Sequence, residues 1–239
     1  MNMEIIMKKE EQINYYTYKL NMPILNILAI LLLLLISSIV FLMEYQDSYT
    51  IHFKTSILFI LMFVWLIIHE ILHGIGFSLF KCVKKANITF GMFLEKGVFY
   101  CMCKQNIPKK VILTSLLFPI TIIGIITLII GMIFNQYELV LLSILNIVSS
   151  IGDIVMTIYF LKAPKDIIYL DLDDVTSFTV ISSKPLENIK VPGIMLEKKG
   201  TYDKNKMFAK DKRKLVISKV SYILIGVIFL LIIMNIVGD

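Results

Sequence analysis

The chain has 239 residues, 57% of them hydrophobic, with a mean hydropathy of +0.80 and a formal net charge of +6. Soluble domains carry roughly 45–50% apolar residues. Here the excess is gathered into long runs, which excludes an ordinary soluble globule and predicts an integral membrane protein. The positive charge lies in the loops beside those runs and comes with no recognition motif, so it reads as membrane topology and not as a nucleic-acid surface.

Taken in chain order, residues 1–22 are polar and carry both signs of charge. The apolar run after them has no small-residue cleavage site, so no secretory signal peptide is expected. Five segments approach the roughly 20 apolar residues that cross a bilayer: 23–43, 55–80, 111–134, 138–161 and 215–237. They predict an α-helical membrane protein, a bundle of five transmembrane helices forming one domain over residues 1–239.

Orientation follows from the loop lysines and arginines. The N-terminal tail has three, the link between the first two spans one, loop 81–110 seven, the next link none, and segment 162–214 twelve. The alternation predicts a multi-pass protein of the cell membrane. Its N-terminus and both long loops lie in the cytosol, and its C-terminus lies outside. In the first cytosolic loop, Asn87–Phe93 and Gly97–Cys103 read as two short strands joined through Leu94-Glu95-Lys96, a small cytosolic β-hairpin. In the second, Ile167–Leu170 and Phe178–Ile181 read as strands on either side of an acidic turn, and residues 184–213, with Pro185, Pro192, Gly193 and Gly200, read as a flexible surface loop. The three cysteines, Cys82, Cys101 and Cys103, all fall in the first cytosolic loop and are read as reduced thiols.

The chemistry is concentrated in the second span. His69-Glu70-Ile71-Leu72-His73 is a His-Glu-x-x-His motif. On a helix, the two imidazoles four residues apart share a face and can reach one zinc ion, with Glu70 beside them as a base. Burying such groups in hydrocarbon is expensive, so an intramembrane ionisable residue points to function. A zinc hydrolase needs three protein ligands and an open position. His52 lies in an outer loop, and among the acids only Asp153 is also well inside a span. His73 precedes Lys81 by eight residues and Asp153 precedes Lys162 by nine. At 1.5 Å per residue they lie about 12 and 14 Å from the inner boundary. Two charged sites at matching depth on parallel-running spans are expected to meet. Asn146, Ser150 and Asp153 fall at i, i+4 and i+7, so Asn146 and Ser150 are candidate supporting residues. Asn146 is a candidate to hold a substrate carbonyl or a ligand in place.

His69-Glu70-x-x-His73, a basic hairpin loop, a span containing Pro119, then Asn146-x-x-x-Ser150-x-x-Asp153-Ile154 followed by Leu161-Lys162-Ala163-Pro164 and an acidic strand, form an ordered pair of motifs over roughly residues 60–182. That pair resembles the bacterial family known as the putative zincin peptidases, and through it the site-2 proteases, which cut substrates within or beside the membrane. The resemblance implies Zn2+ held by His69, His73 and Asp153, with Glu70 as the catalytic base. It also implies a membrane protein or peptide as substrate. The chain departs from the site-2 proteases in lacking their Leu-Asp-Gly, since Asp153 stands between Gly152 and Ile154. Two other readings stay open at this point. A non-catalytic zinc-binding membrane protein, an immunity or regulatory factor, would close the metal with a fourth ligand. A metal transporter would place further carboxylates or histidines along a path through the bilayer.

Overall fold

The computed structural model describes residues 13–44, 55–93, 98–171 and 176–202. The expected fifth span at 215–237, the outer-loop His52, the Leu94-Glu95-Lys96 connection, the acidic turn and residues 203–213 of the expected flexible loop lie outside the described residues.

The architecture is mixed. Strand β1 (Asn14–Leu20) leads through a single residue into helix α1 (Met22–Glu44), and α2 (Thr55–Ser78) carries the His-Glu-x-x-His motif. The hairpin β2 (Ile88–Phe93) and β3 (Val98–Cys103) follows, then the short β4 (Ile107–Pro108). Helix α3 (Lys109–Pro119) continues through a π-helical stretch, Ile120–Ile126, into α4 (Thr127–Ile133). Helices α5 (Tyr137–Ser149) and α6 (Ile151–Lys162) come next, then strands β5 (Ile168–Asp171), β6 (Ser177–Ser182) and β7 (Ile194–Thr201). Among the described residues, Met22–Ile39, Leu61–Ser78 and Lys109–Ile133 are long and apolar enough to cross a membrane.

Four elements depart from the sequence expectations. The fourth expected span is broken into α5 and α6, bent by 52°. The cause is local: the Asn146 carbonyl accepts the Ser150 amide at 3.0 Å, the Ser149 hydroxyl at 2.9 Å and the Ser150 hydroxyl at 2.7 Å. Serines that bond back onto the preceding turn compete with the helical ladder and bend it. The polar N-terminal tail contains a strand, because Tyr16 and Tyr18 alternate in a β-prone Asn-Tyr-Tyr-Thr-Tyr run and both are buried. The stretch read as a flexible loop from residue 184 is ordered to Tyr202. It buries Leu186 and Val191 and supplies β7, which pairs with β1. The hairpin, expected in a loop beyond its helix, lies along α2 itself. Phe99 meets Phe63 edge-on at 5.4 Å, and Phe90 packs so close to Gly74 that an added Cβ would stand 2.3 Å from its ring.

The five-stranded sheet is antiparallel in the order β4-β5-β6-β1-β7. Its buried face carries an aromatic core. Tyr18 lies 4.8 Å from Tyr159 and 5.5 Å from Phe178, and Phe160 lies 5.6 Å from Tyr169, ring centre to ring centre. This core joins the sheet to the C-terminal end of α6 and the N-terminal end of α3. There the Lys109 ammonium donates to the Ala163 carbonyl at 2.6 Å, and Lys110 lies 6.0 Å over the Phe80 ring at the end of α2. The lysine-bearing ends of α2, α3 and α6 thus share one level, and the candidate site lies a few turns further along them.

Candidate metal centre

Helix α2 places His69 and His73 one turn apart on its buried face, their rings 4.7 Å between centroids and close to perpendicular. Each ring is held from behind. His69 Nδ1 donates to Asn146 Oδ1 of α5 at 3.0 Å. His73 Nδ1 donates to the Ser115 carbonyl of α3 at 2.8 Å. Both acceptors are oxygens, so both Nδ1 atoms carry the proton and both Nε2 atoms keep a bare lone pair.

Those lone pairs converge. The two Nε2 atoms lie 3.0 Å apart, and Asp153 Oδ2 lies 3.2 Å from His69 Nε2 and 3.4 Å from His73 Nε2. Three acceptors in mutual contact repel unless a cation sits among them. A proton reconciles one pair at a time, whereas a divalent ion reconciles all three. Donors about 2.0–2.1 Å from a tetrahedral zinc stand about 3.3 Å apart, and the observed triangle of 3.0, 3.2 and 3.4 Å fits that spacing. Asp153 sits in the first turn of α6, whose positive end favours a carboxylate. The Glu70 carboxylate also lies within 4.8 Å of ligating atoms of both imidazoles, so His69, Glu70 and His73 form a group able to hold a metal ion.

Glu70 also has the hairpin beside it, with the backbone N–H of Cys101 in β3 facing its carboxylate. The β2–β3 register explains why that amide is available. The Lys104 amide bonds the Asn87 carbonyl at 2.8 Å, so the even-numbered positions of β3 face β2, while Phe99, Cys101 and Cys103 present their backbone outward. The Cys103 amide goes to Asp171 Oδ2 at 2.9 Å, and the Asp171 carboxylate also receives the Tyr169 hydroxyl. Burial pushes the Asp171 pKa up to about 6, against the pull of those two donors. Burial also pushes the Cys103 thiol up to about 12, and Cys82, Cys101 and Cys103 are free thiols.

The structure thus brings His69, Glu70, His73, Asp153 and Asn146 together. Ser150 stands apart from the ligand atoms, with its hydroxyl on the Asn146 carbonyl at the helix bend. Sequence reasoning missed Ser115, which makes two bonds to the motif helix: its carbonyl accepts from His73, and its hydroxyl donates to the His73 carbonyl at 3.0 Å. A serine near a proline in an apolar run was the available signal. Sequence reasoning also missed Asp171 as a clasp on the hairpin.

Residues 62–168 match the model of the family described as "Putative zincin peptidase", a span that contains both histidines, Glu70, Ser115, Asn146 and Asp153. No curated protein and no solved structure matches the chain.

Proposed function

We propose that this chain, whose residues 62–168 match the putative zincin peptidase family, is a zinc metallopeptidase that hydrolyses peptide bonds in or next to a membrane. The observation that carries this reading is the triangle of two bare imidazole nitrogens and one carboxylate oxygen, buried among apolar helices and with the Glu70 carboxylate beside it. His69, His73 and Asp153 are the proposed zinc ligands. Bound zinc supplies a Lewis acid that polarises the scissile carbonyl and acidifies the attacking water. Glu70 takes the proton of that water and delivers it to the leaving amine. Asn146 and Ser115 hold the two imidazoles in the ligating tautomer.

A membrane setting is supported by the outward side chains. Ile27, Ile30, Leu31, Leu34 and Leu35 of α1 are each more than half exposed, as are Ile133 and Phe134 beyond the π-helical stretch. Apolar surface of that extent calls for lipid or a partner. We read the chain as a single domain of five spans in a bacterial cell membrane, N-terminus inside, C-terminus outside. It follows the site-2-protease plan, with the span at 138–161 crossing as a bent pair. The substrate is a membrane protein or peptide with a locally unwound segment. The outward edge of β3 supports this, because the Phe99 backbone and the Cys101 carbonyl face outward beside Glu70, where an extended segment can add as a strand.

The test is metal analysis of the purified chain beside cleavage of casein and of a transmembrane reporter. About one zinc per chain and cleavage that disappears in Glu70→Gln are expected. A metal-free wild-type protein, or a Glu70→Gln protein that cuts normally, refutes the reading.

A further inference from the structure

Inside an α-helix, a carbonyl accepts the amide four residues on. For Ser115 that residue is Pro119, which has no N–H. The next amide along, that of Ile120, goes to the Leu117 carbonyl instead. The Ser115 carbonyl is thereby released from the ladder of α3 while it is almost fully buried, and its partner is His73 Nδ1 at 2.8 Å. We propose that Pro119 is a positioning residue of the metal centre. By withholding an amide proton from its own helix, it leaves the Ser115 carbonyl free to fix His73 in the tautomer that ligates through Nε2.

Two further features belong to the same device. The Ser115 hydroxyl donates to the His73 carbonyl at 3.0 Å, so the two residues are tied in both directions across α2 and α3. Gly76 lets the helices come this close: a Cβ there would stand 2.8 Å from the Ser115 Cα. That contact is with backbone, which cannot swing aside. The carbonyl has a geometric reason to face His73, since loss of the ladder bond lets it tilt away from the helix axis. Outer-shell partners of this kind orient a ligating histidine and raise its basicity, and their loss typically weakens metal binding about 10–100-fold. An alanine at 119 restores an N–H that competes for the same oxygen. The carbonyl keeps a second lone pair, so the lower end of that range applies.

The inference rests on the reading of His73 as a zinc ligand, and the experiment separates the two. Zinc dissociation constants are measured by chelator competition for the wild type, His73→Ala and Pro119→Ala. Thermal melting of the metal-free proteins and nitrogen NMR of the histidine rings are recorded beside them. His73→Ala is expected to abolish tight zinc binding. Pro119→Ala is expected to raise the zinc Kd about 10-fold while leaving the metal-free protein as stable or more so, because a proline leaves a helix interior. Its His73 ring should gain the Nε2-protonated tautomer at the expense of the Nδ1-protonated one. A purely structural proline moves stability and affinity in the same direction, so the opposite signs are diagnostic. Unchanged affinity in His73→Ala overturns the ligand reading itself. Tight binding lost in His73→Ala, but a Kd within twofold of wild type in Pro119→Ala, overturns the role of Pro119 alone. Should Pro119→Ala not fold, the wild-type spectrum decides: an Nε2-protonated His73 in the metal-free protein overturns the proposal, and an Nδ1-protonated one upholds it.

Discussion

Asn146→Ala isolates ligand orientation from ligand identity. The substitution removes one buried bond, Asn146 Oδ1 to His69 Nδ1 at 3.0 Å. It leaves the Asn146 backbone carbonyl, so the three donors that bend the helix at Ser150 keep their acceptor. Losing a neutral hydrogen bond and stranding the His69 N–H costs about 1–3 kcal/mol. In the native protein, however, Asn146 Nδ2 is itself buried without a partner among the described residues, and its removal returns a penalty of similar size, about 1–3 kcal/mol. The two effects nearly cancel, so the metal-free fold is expected to melt within a few degrees of wild type. Zinc affinity has no such compensation. With its Nδ1 proton unanchored, His69 spends part of its time in the tautomer that presents N–H to the metal, and a Kd rise of about 10–100-fold is expected. Chelator competition and calorimetric melting on the same preparations measure both quantities. A zinc Kd within twofold of wild type, in a protein that folds normally, refutes the claim that Asn146 sets the His69 tautomer. A large fall in melting temperature with unchanged affinity refutes it equally.

Glu70→Gln should retain zinc while the cleavage rate falls at least about 10²-fold, the range for removing a general base; metal analysis beside reporter cleavage reads both. Asp153→Ala removes one of three proposed ligands, and zinc is expected to be lost on dialysis against a chelator that leaves the wild type loaded. Gly74→Ala places a methyl group 2.3 Å from the Phe90 ring. That contact is with the far end of a ring that is 40% exposed, so the ring is expected to swing aside and leave zinc content and cleavage close to wild type; a large loss of either would show that Phe90 cannot give way. Asp171, pushed up to about 6 by burial, keeps a proton in the folded chain between about pH 4 and 6 that the unfolded chain has released. Its stabilising contribution is therefore full below about pH 4 and lost as pH rises through about 6. The melting temperature of the wild type minus that of Asp171→Asn should fall across that window, and a flat difference would show that the clasp does not titrate there.

The candidate site was legible in the sequence because most of its signal is local. A motif of period four places two imidazoles on one helix face whatever else the chain does, and an acid in an apolar run must find a partner. The hairpin was legible for the same reason, since strand propensity and turn residues act over a dozen residues. The tertiary structure decided what depends on distant segments. β1 and β7 read as a polar tail and a loop because an edge or partner strand gains its stability from pairing, here Tyr16 with Val180 and with Lys199, and pairing has no local pattern. The expected continuous helix through Asn146, Ser150 and Asp153 breaks, because two serine hydroxyls and an amide compete for one carbonyl. That break sets Asp153 in the first turn of a new helix. The role of Ser115 lay furthest from the sequence. Its bond to His73 is made by backbone, so the residue name carries little of it, and the proline that frees that carbonyl acquires its meaning only when α2 and α3 are packed together.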